Sequence, residues 1–162
     1  ALYLQKIEEV FATIFRQTAM YRFEQTLHAT SRTKGELATD EINTLWLKSQ
    51  QEMFGASVTL TKNYGIWWSY ISHFIHSPFY VYAYAFGEIL TLSLFSQYKK
   101  DGHAFVKKYF DLLRAGGSKT PEEFLKPFNL RLDDVRFWKG GINLIEQLIE
   151  EAQTLHKHQK SP

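Results

Sequence analysis

The sequence predicts an all-α fold, and three observations carry that reading. Apolar residues recur at intervals of three and four over several long stretches, as one face of a helix requires. Helix-opening and helix-closing signals alternate, with Thr39-Asp40-Glu41 ahead of Gly55 and Thr120-Pro121-Glu122-Glu123 after Gly116. The one strand-like alternation, Tyr80-Val81-Tyr82-Ala83-Tyr84, sits in a run with no stop signal until Asp101-Gly102. That run is too long for an ordinary strand.

Leu4, Ile7, Phe11, Ile14, Thr18 and Tyr21 set the phase of a first amphipathic helix, expected from about Leu2 to Ser31 and ended by Thr33-Lys34-Gly35. Phe11, Phe15, Tyr21 and Phe23 spread round much of its circumference, so this helix is expected to leave apolar surface bare. Thr39 is read as the cap of a second helix, with Asp40 and Glu41 matching the helix dipole. Ile42, Leu45, Trp46, Ser49 and Met53 form its inward stripe, and Gly55 stops it. From Ala56 to Ile71 the pattern is irregular and reads as a loop with a short helix. Ser77 as cap and Pro78 as first helical residue open a long helix, with Gly87 as a point of close packing inside it. A helix from Ala104 to Leu113 buries Phe105, Tyr109 and Leu112 and is capped by Gly116. Thr120 opens a short helix to Phe128. Asp133 or Asp134 starts the last one, whose stripe is Ile142, Ile145, Leu148, Ile149, Ala152 and Leu155. The tail from His156 is polar and expected to fray.

The 162 residues, 44% of them hydrophobic, suit a single helical domain with a real core. The start, Ala1-Leu2-Tyr3-Leu4, is already in helical phase and does not resemble a signal peptide. It reads as a cut through a longer protein. Nineteen basic and 17 acidic residues are interspersed and leave a formal charge of +2, with no basic arm for nucleic acid. No apolar run reaches the ~20 residues of a membrane helix. With no cysteine there is no disulfide framework, no thiolate metal site and no cysteine nucleophile. A reducing cytoplasm is the expected setting.

Few motifs carry chemistry. Gly117-Ser118-Lys119-Thr120 lacks the glycines of a phosphate-binding loop and reads as a helix stop followed by a helix start. His156 and His158 read as part of a solvated tail, and His28 and His103 as ordinary residues near helix ends. The stretch from Ser72 to Glu88 differs. It holds His73, His76, Tyr80, Tyr82 and Tyr84. Two imidazoles and three phenols are costly to bury without partners, yet at a cleft they offer hydrogen bonds to a peptide backbone or a developing oxyanion. A buried aromatic core with satisfied hydroxyls is the plainer reading. No H-E-x-x-H occurs in the chain, so a self-contained zinc site is not expected.

Several blocks together resemble the oligoendopeptidase F family of zinc metallopeptidases, relatives of thimet oligopeptidase. They are Phe15-Arg16-Gln17-Thr18-Ala19-Met20-Tyr21-Arg22-Phe23-Glu24, His73-Phe74 with Phe79-Tyr80-Val81-Tyr82-Ala83-Tyr84-Ala85-Phe86-Gly87, Ala115-Gly116-Gly117-Ser118, and Phe137-Trp138-Lys139-Gly140-Gly141. The resemblance implies the helical C-terminal part of a catalytic domain whose H-E-x-x-H zinc ligands lie upstream of this chain. It implies short peptides as substrates and a channel wall opposite the metal. It also implies that His73, Tyr80 and Tyr82 stabilise the tetrahedral intermediate, with His76 and Tyr84 placed toward substrate. No metal ligand is assigned within the chain. His76 stands where many relatives carry tyrosine. A non-catalytic helical module that binds a peptide or other ligand is the alternative. A purely structural bundle is a third, and it requires every polar atom of His73, Tyr80 and Tyr82 to be satisfied internally. Self-association of the isolated piece is expected from surface left bare.

Overall fold

A computed structural model describes residues 2–160, with the side chains of 158–160 outside the description. Among the described residues the fold is all-α, without strands. The helices are α1 (Leu2–Val10), α2 (Arg16–Lys34), α3 (Thr39–Phe54), α4 (His73–His76), α5 (Tyr82–Asp101), α6 (His103–Ala115), α7 (Pro121–Leu125) and α8 (Val135–Lys160). Tighter 3₁₀ turns cover Lys62–Tyr70 and Lys126–Phe128, and a wider π turn, Phe11–Phe15, joins α1 to α2. No helix among these residues is long and apolar enough to cross a membrane. The chain forms two compact units, one being Glu9–Phe86 and the other the stretch up to Glu8 together with everything from Gly87 onward.

The Glu9–Phe86 unit is built round aromatic rings. Met20, Phe23, Trp46 and Val81 are buried, with Tyr64, Trp68, Ile71 and Phe74 packed against them. Phe23 meets Trp46 edge-on at 5.2 Å, and Phe74 lies 5.2 Å from Phe23. Such pairs add to the stabilisation from burial alone. Phe23 is thus core, not the bare surface expected of it. The reason is the π turn. It takes more residues per turn than an α-helix, so the buried face slips in register. Val10 and Ile14 face inward before or within it, and Ala19, Met20, Phe23 and Glu24 after it, whereas Thr18 is exposed. Beyond the α2 stop at Gly35, Thr39 is the first residue of α3 and not its cap. Ala38 holds the cap position, and the Glu41 carboxylate accepts from its backbone N–H at 3.1 Å. The irregular stretch after Gly55 becomes a 3₁₀ segment laid on α3. A Cβ on Gly65 would stand 3.3 Å from the Asn43 Cβ, and Trp68 donates its indole N–H to Asn43 at 2.8 Å.

The second unit has its own core of Leu94, Phe105, Leu125, Phe128 and Phe137, with Tyr109 and Leu112 packed against it. Gly102 and Gly116 end α5 and α6 at positive φ, as their positions predicted. Thr120 and Glu123 form a reciprocal capping box at the start of α7. Asp134 accepts from the Arg136 N–H at 2.9 Å and so opens α8. Gly87 is not a close contact, since a Cβ there would meet nothing within 4 Å. The close approach lies on α8, where a Cβ on Gly141 would be 2.6 Å from the Ser93 hydroxyl and 3.0 Å from the Ile89 carbonyl. The α8 stripe is buried at Ile145, but Ile149 and Leu155 are exposed beside Tyr3, Leu4 and Ile7 of α1. The polar stretch from His156 continues as helix to Lys160 instead of fraying, and the His158 side chain lies outside the described residues.

Candidate functional site

The segment from Ser72 to Glu88 folds differently from the continuous helix its Ser77-Pro78 signal predicted. The short helix α4 holds His73 and His76, and Ser77 closes it, its N–H bonding to the His73 carbonyl at 3.0 Å. Ser77, Pro78, Phe79 and Tyr80 then make a turn in which the Tyr80 N–H bonds to the Ser77 carbonyl at 3.1 Å. Phe79 sits at φ +61°, in the left-handed region. For a non-glycine residue that costs roughly 1–2 kcal/mol. Helix α5 begins only at Tyr82. Proline fits the second position of a tight turn as well as it fits a first helical turn, so the local signal served either outcome.

The turn is bonded to α2. Glu24 is 1% exposed, within the aromatic layer. One of its carboxylate oxygens accepts the backbone N–H of Phe79 at 2.7 Å, and the other is buried without a partner. The Phe79 ring lies 4.7 Å from the His28 ring. Neither Glu24 nor His28 was picked out by sequence reasoning as part of a site. The pattern held a signal for Glu24, because Met20 four residues before it and Leu27 three after it belong to the inward face.

The turn brings three side chains together. His73 Nε2 and the Tyr84 hydroxyl share a hydrogen bond of 3.0 Å. The Tyr80 ring lies parallel to the His73 imidazole, 7° between planes and 6.2 Å between centroids. Tyr80 and Tyr84 meet at right angles, 5.7 Å apart. Tyr82 is set apart and packs on Tyr21 at 5.8 Å. His76 is exposed and joins none of these rings. The site is open, with Tyr80 at 53%, Tyr82 at 51% and Tyr84 at 40% exposure. Among the described residues the Tyr80 and Tyr82 hydroxyls have no hydrogen-bond partner. Both hydroxyls are open to solvent.

The His73–Tyr84 pair has a useful property as a donor. A neutral imidazole and a phenol carry one acidic hydrogen each, and their mutual bond uses one. In either tautomer one remains. If the Tyr84 hydroxyl donates to Nε2, the Nδ1–H is left; if Nε2–H donates, the phenol hydrogen is left. With Tyr80 alongside, the group can offer two hydrogen bonds to an anionic oxygen or a peptide carbonyl. A metal is another matter. Among the described residues no three histidine or acidic side chains come together in a way that could hold one, and His73 and His76 have no third ligand beside them. The described residues do not fit a self-contained zinc site.

The chain is similar to known peptidases in sequence and in fold. The chain is 32% identical over 150 residues to the Bacillus subtilis oligopeptidase PepF, covering 92% of this chain and 22% of that protein. It is 28% identical over 152 residues to an oligoendopeptidase F homolog of Borreliella burgdorferi, covering 94% and 26%. It therefore spans about a quarter of the length of these relatives. Its fold superposes on a crystal structure of a Chlamydophila abortus protein assigned as a peptidase, with a TM-score of 0.84 and 28% identity over 94% of this chain and 26% of that one. Residues 1–144 match the model of Peptidase family M3, and the chain belongs to that family.

Proposed function

We propose that this chain is one wall of the active-site channel of a zinc oligoendopeptidase that cleaves short peptides. One observation carries the reading: His73, Tyr80 and Tyr84 converge at an open surface, with hydrogen-bond donors to spare. In this reading His73 and Tyr80 donate to the carbonyl oxygen of the scissile bond as it gains negative charge. Tyr84 holds His73 and sets which nitrogen faces the peptide. Tyr82, turned toward Tyr21, contacts the substrate farther along, and His76 stands at the rim. Donors fixed before the reaction stabilise the charge that develops in the transition state more than the neutral carbonyl that precedes it. The zinc implied by the family would be bound by residues outside this chain. Its ligands here would be none. The chain's own part is to bind, orient and donate, and alone it would not hydrolyse peptides.

The test is steady-state kinetics of the full-length protein on a quenched fluorescent peptide, with zinc measured on the same samples. Replacing His73 by alanine should lower kcat by about 10²–10³ and change KM far less. Zinc content should stay constant. Normal kcat in His73→Ala and in Tyr80→Phe would refute the assignment, and loss of zinc in His73→Ala would make His73 a ligand instead.

A further inference from the structure

Glu24 poses a question that the proposed function does not answer. A carboxylate taken out of water is costly unless it is well bonded. Among the described residues no cation pairs with Glu24, and one of its oxygens has no partner at all. Its one hydrogen bond, 2.7 Å from the Phe79 N–H, crosses 55 positions in the sequence. That N–H belongs to the residue held at φ +61°. The turn has proline second, a positive φ third, and the N–H of its fourth residue on the carbonyl of its first. This is the pattern of a type II turn, whose third position strongly favours glycine. Phenylalanine stands there instead. Its ring is braced on His28 and its N–H is bound by Glu24. The next residue is Tyr80, stacked parallel to His73.

We propose that Glu24 is a positioning residue. By holding the Phe79 N–H it keeps the Ser77–Tyr80 turn in its left-handed form and so sets the Tyr80 phenol beside His73. A carboxylate is the stronger acceptor for a backbone N–H. Its location on α2, far from Tyr80 in sequence, ties the donor group to the aromatic core. The activity part of this inference rests on the role given to Tyr80 above; the structural part does not.

The experiment uses the full-length protein. Glu24→Leu keeps the volume and removes the acceptor. Glu24→Gln keeps an oxygen that can accept from Phe79. Glu24→Leu combined with Phe79→Gly supplies a residue that adopts positive φ without strain. The expected outcome is a fall in kcat of about tenfold or more in Glu24→Leu, with KM nearly constant. The glutamine variant should keep most activity, and Phe79→Gly should recover much of the loss. A role limited to stability would lower the folded fraction but not the kcat of what is folded, and Phe79→Gly would not restore it. A crystal structure of Glu24→Leu reads the turn directly. Phe79 still at positive φ with Tyr80 still parallel to His73 would overturn the proposal. A turn that opens while kcat is unchanged would support the clamp and refute the role of Tyr80. Should Glu24→Leu not accumulate as folded protein, the double variant is compared with Phe79→Gly alone. Equal kcat supports the clamp, and a loss as deep as that of Tyr80→Phe overturns it.

Discussion

Three glycines inside helices should respond to alanine with different signs. Alanine in a helix interior is favoured over glycine by about 0.8–1.0 kcal/mol, so without a steric cost each change should stabilise. Gly87 has open space, with nothing within 4 Å of a new Cβ. Gly87→Ala should therefore gain the full amount. At Gly140 the new atom meets the Ser96 hydroxyl at 3.0 Å, a group that can rotate away, so the change should be near neutral. At Gly141 it meets the Ser93 hydroxyl at 2.6 Å, and also the Ile89 carbonyl and the Ser93 amide nitrogen, each at 3.0 Å. The last two are backbone of α5 and cannot yield without moving the helix. Overpacking of this kind costs about 1–3 kcal/mol, and contacts this short belong at its upper end. After the propensity gain is subtracted, Gly141→Ala should destabilise by about 1–2 kcal/mol. For a chain of this size that lowers Tm by roughly 2–8 °C, while Gly87→Ala should raise it by roughly 2–4 °C. Urea and thermal denaturation followed by far-UV circular dichroism measure both. Adding Ser93→Ala to Gly141→Ala should recover only part of the loss, because the two backbone contacts remain. A Gly141→Ala chain as stable as Gly87→Ala would refute the close approach of α8 to α5.

Other perturbations follow from single contacts. In the full-length protein Tyr84→Phe removes the hydrogen bond to His73. A bond worth about 0.5–1.5 kcal/mol should then cost about two- to tenfold in kcat, read on the same peptide substrate. Thr120→Ala breaks the capping box of α7 and should cost about 1 kcal/mol in urea denaturation, with faster amide exchange at Glu123. The Glu41 carboxyl is held below its ordinary value, first by the Ala38 N–H and then by Lys34. Its folded value is the lower one, so its contribution is present above the unfolded value and is lost as pH falls through the folded value. The urea midpoint of Glu41→Gln should therefore lie below that of the parent chain at about pH 7, and the two should converge as the pH falls through the folded value. The hollow bordered by Leu4, Ile7, Ile149 and Leu155 leaves apolar side chains in water, and sedimentation of this chain alone should show concentration-dependent association. A monomer at every concentration would count against it.

Much of this protein is determined by signals that act within about four residues. Gly35, Gly55, Gly102 and Gly116 each take a positive φ that ends a helix, and Thr120-Pro121 opens one, because these preferences need no distant partner. The aromatic weight of the Ser72–Glu88 stretch marked where polar rings gather, and His73, Tyr80 and Tyr84 do meet there. The tertiary structure decided what local signals left equivalent. Ser77-Pro78 suits a helix start and a tight turn alike; the buried Glu24, 55 positions away, holds the turn and delays α5 to Tyr82. That shift turns Tyr82 to Tyr21 and leaves Tyr84 with His73. The π turn at Phe11–Phe15 rotates the buried face of α2, because filling the core with Phe23 outweighs regular periodicity. Gly141, and not Gly87, is the close contact, because a missing side chain matters only where another helix arrives. Turns and caps are written in neighbouring residues; register and convergence depend on burial between segments that meet only in the folded chain.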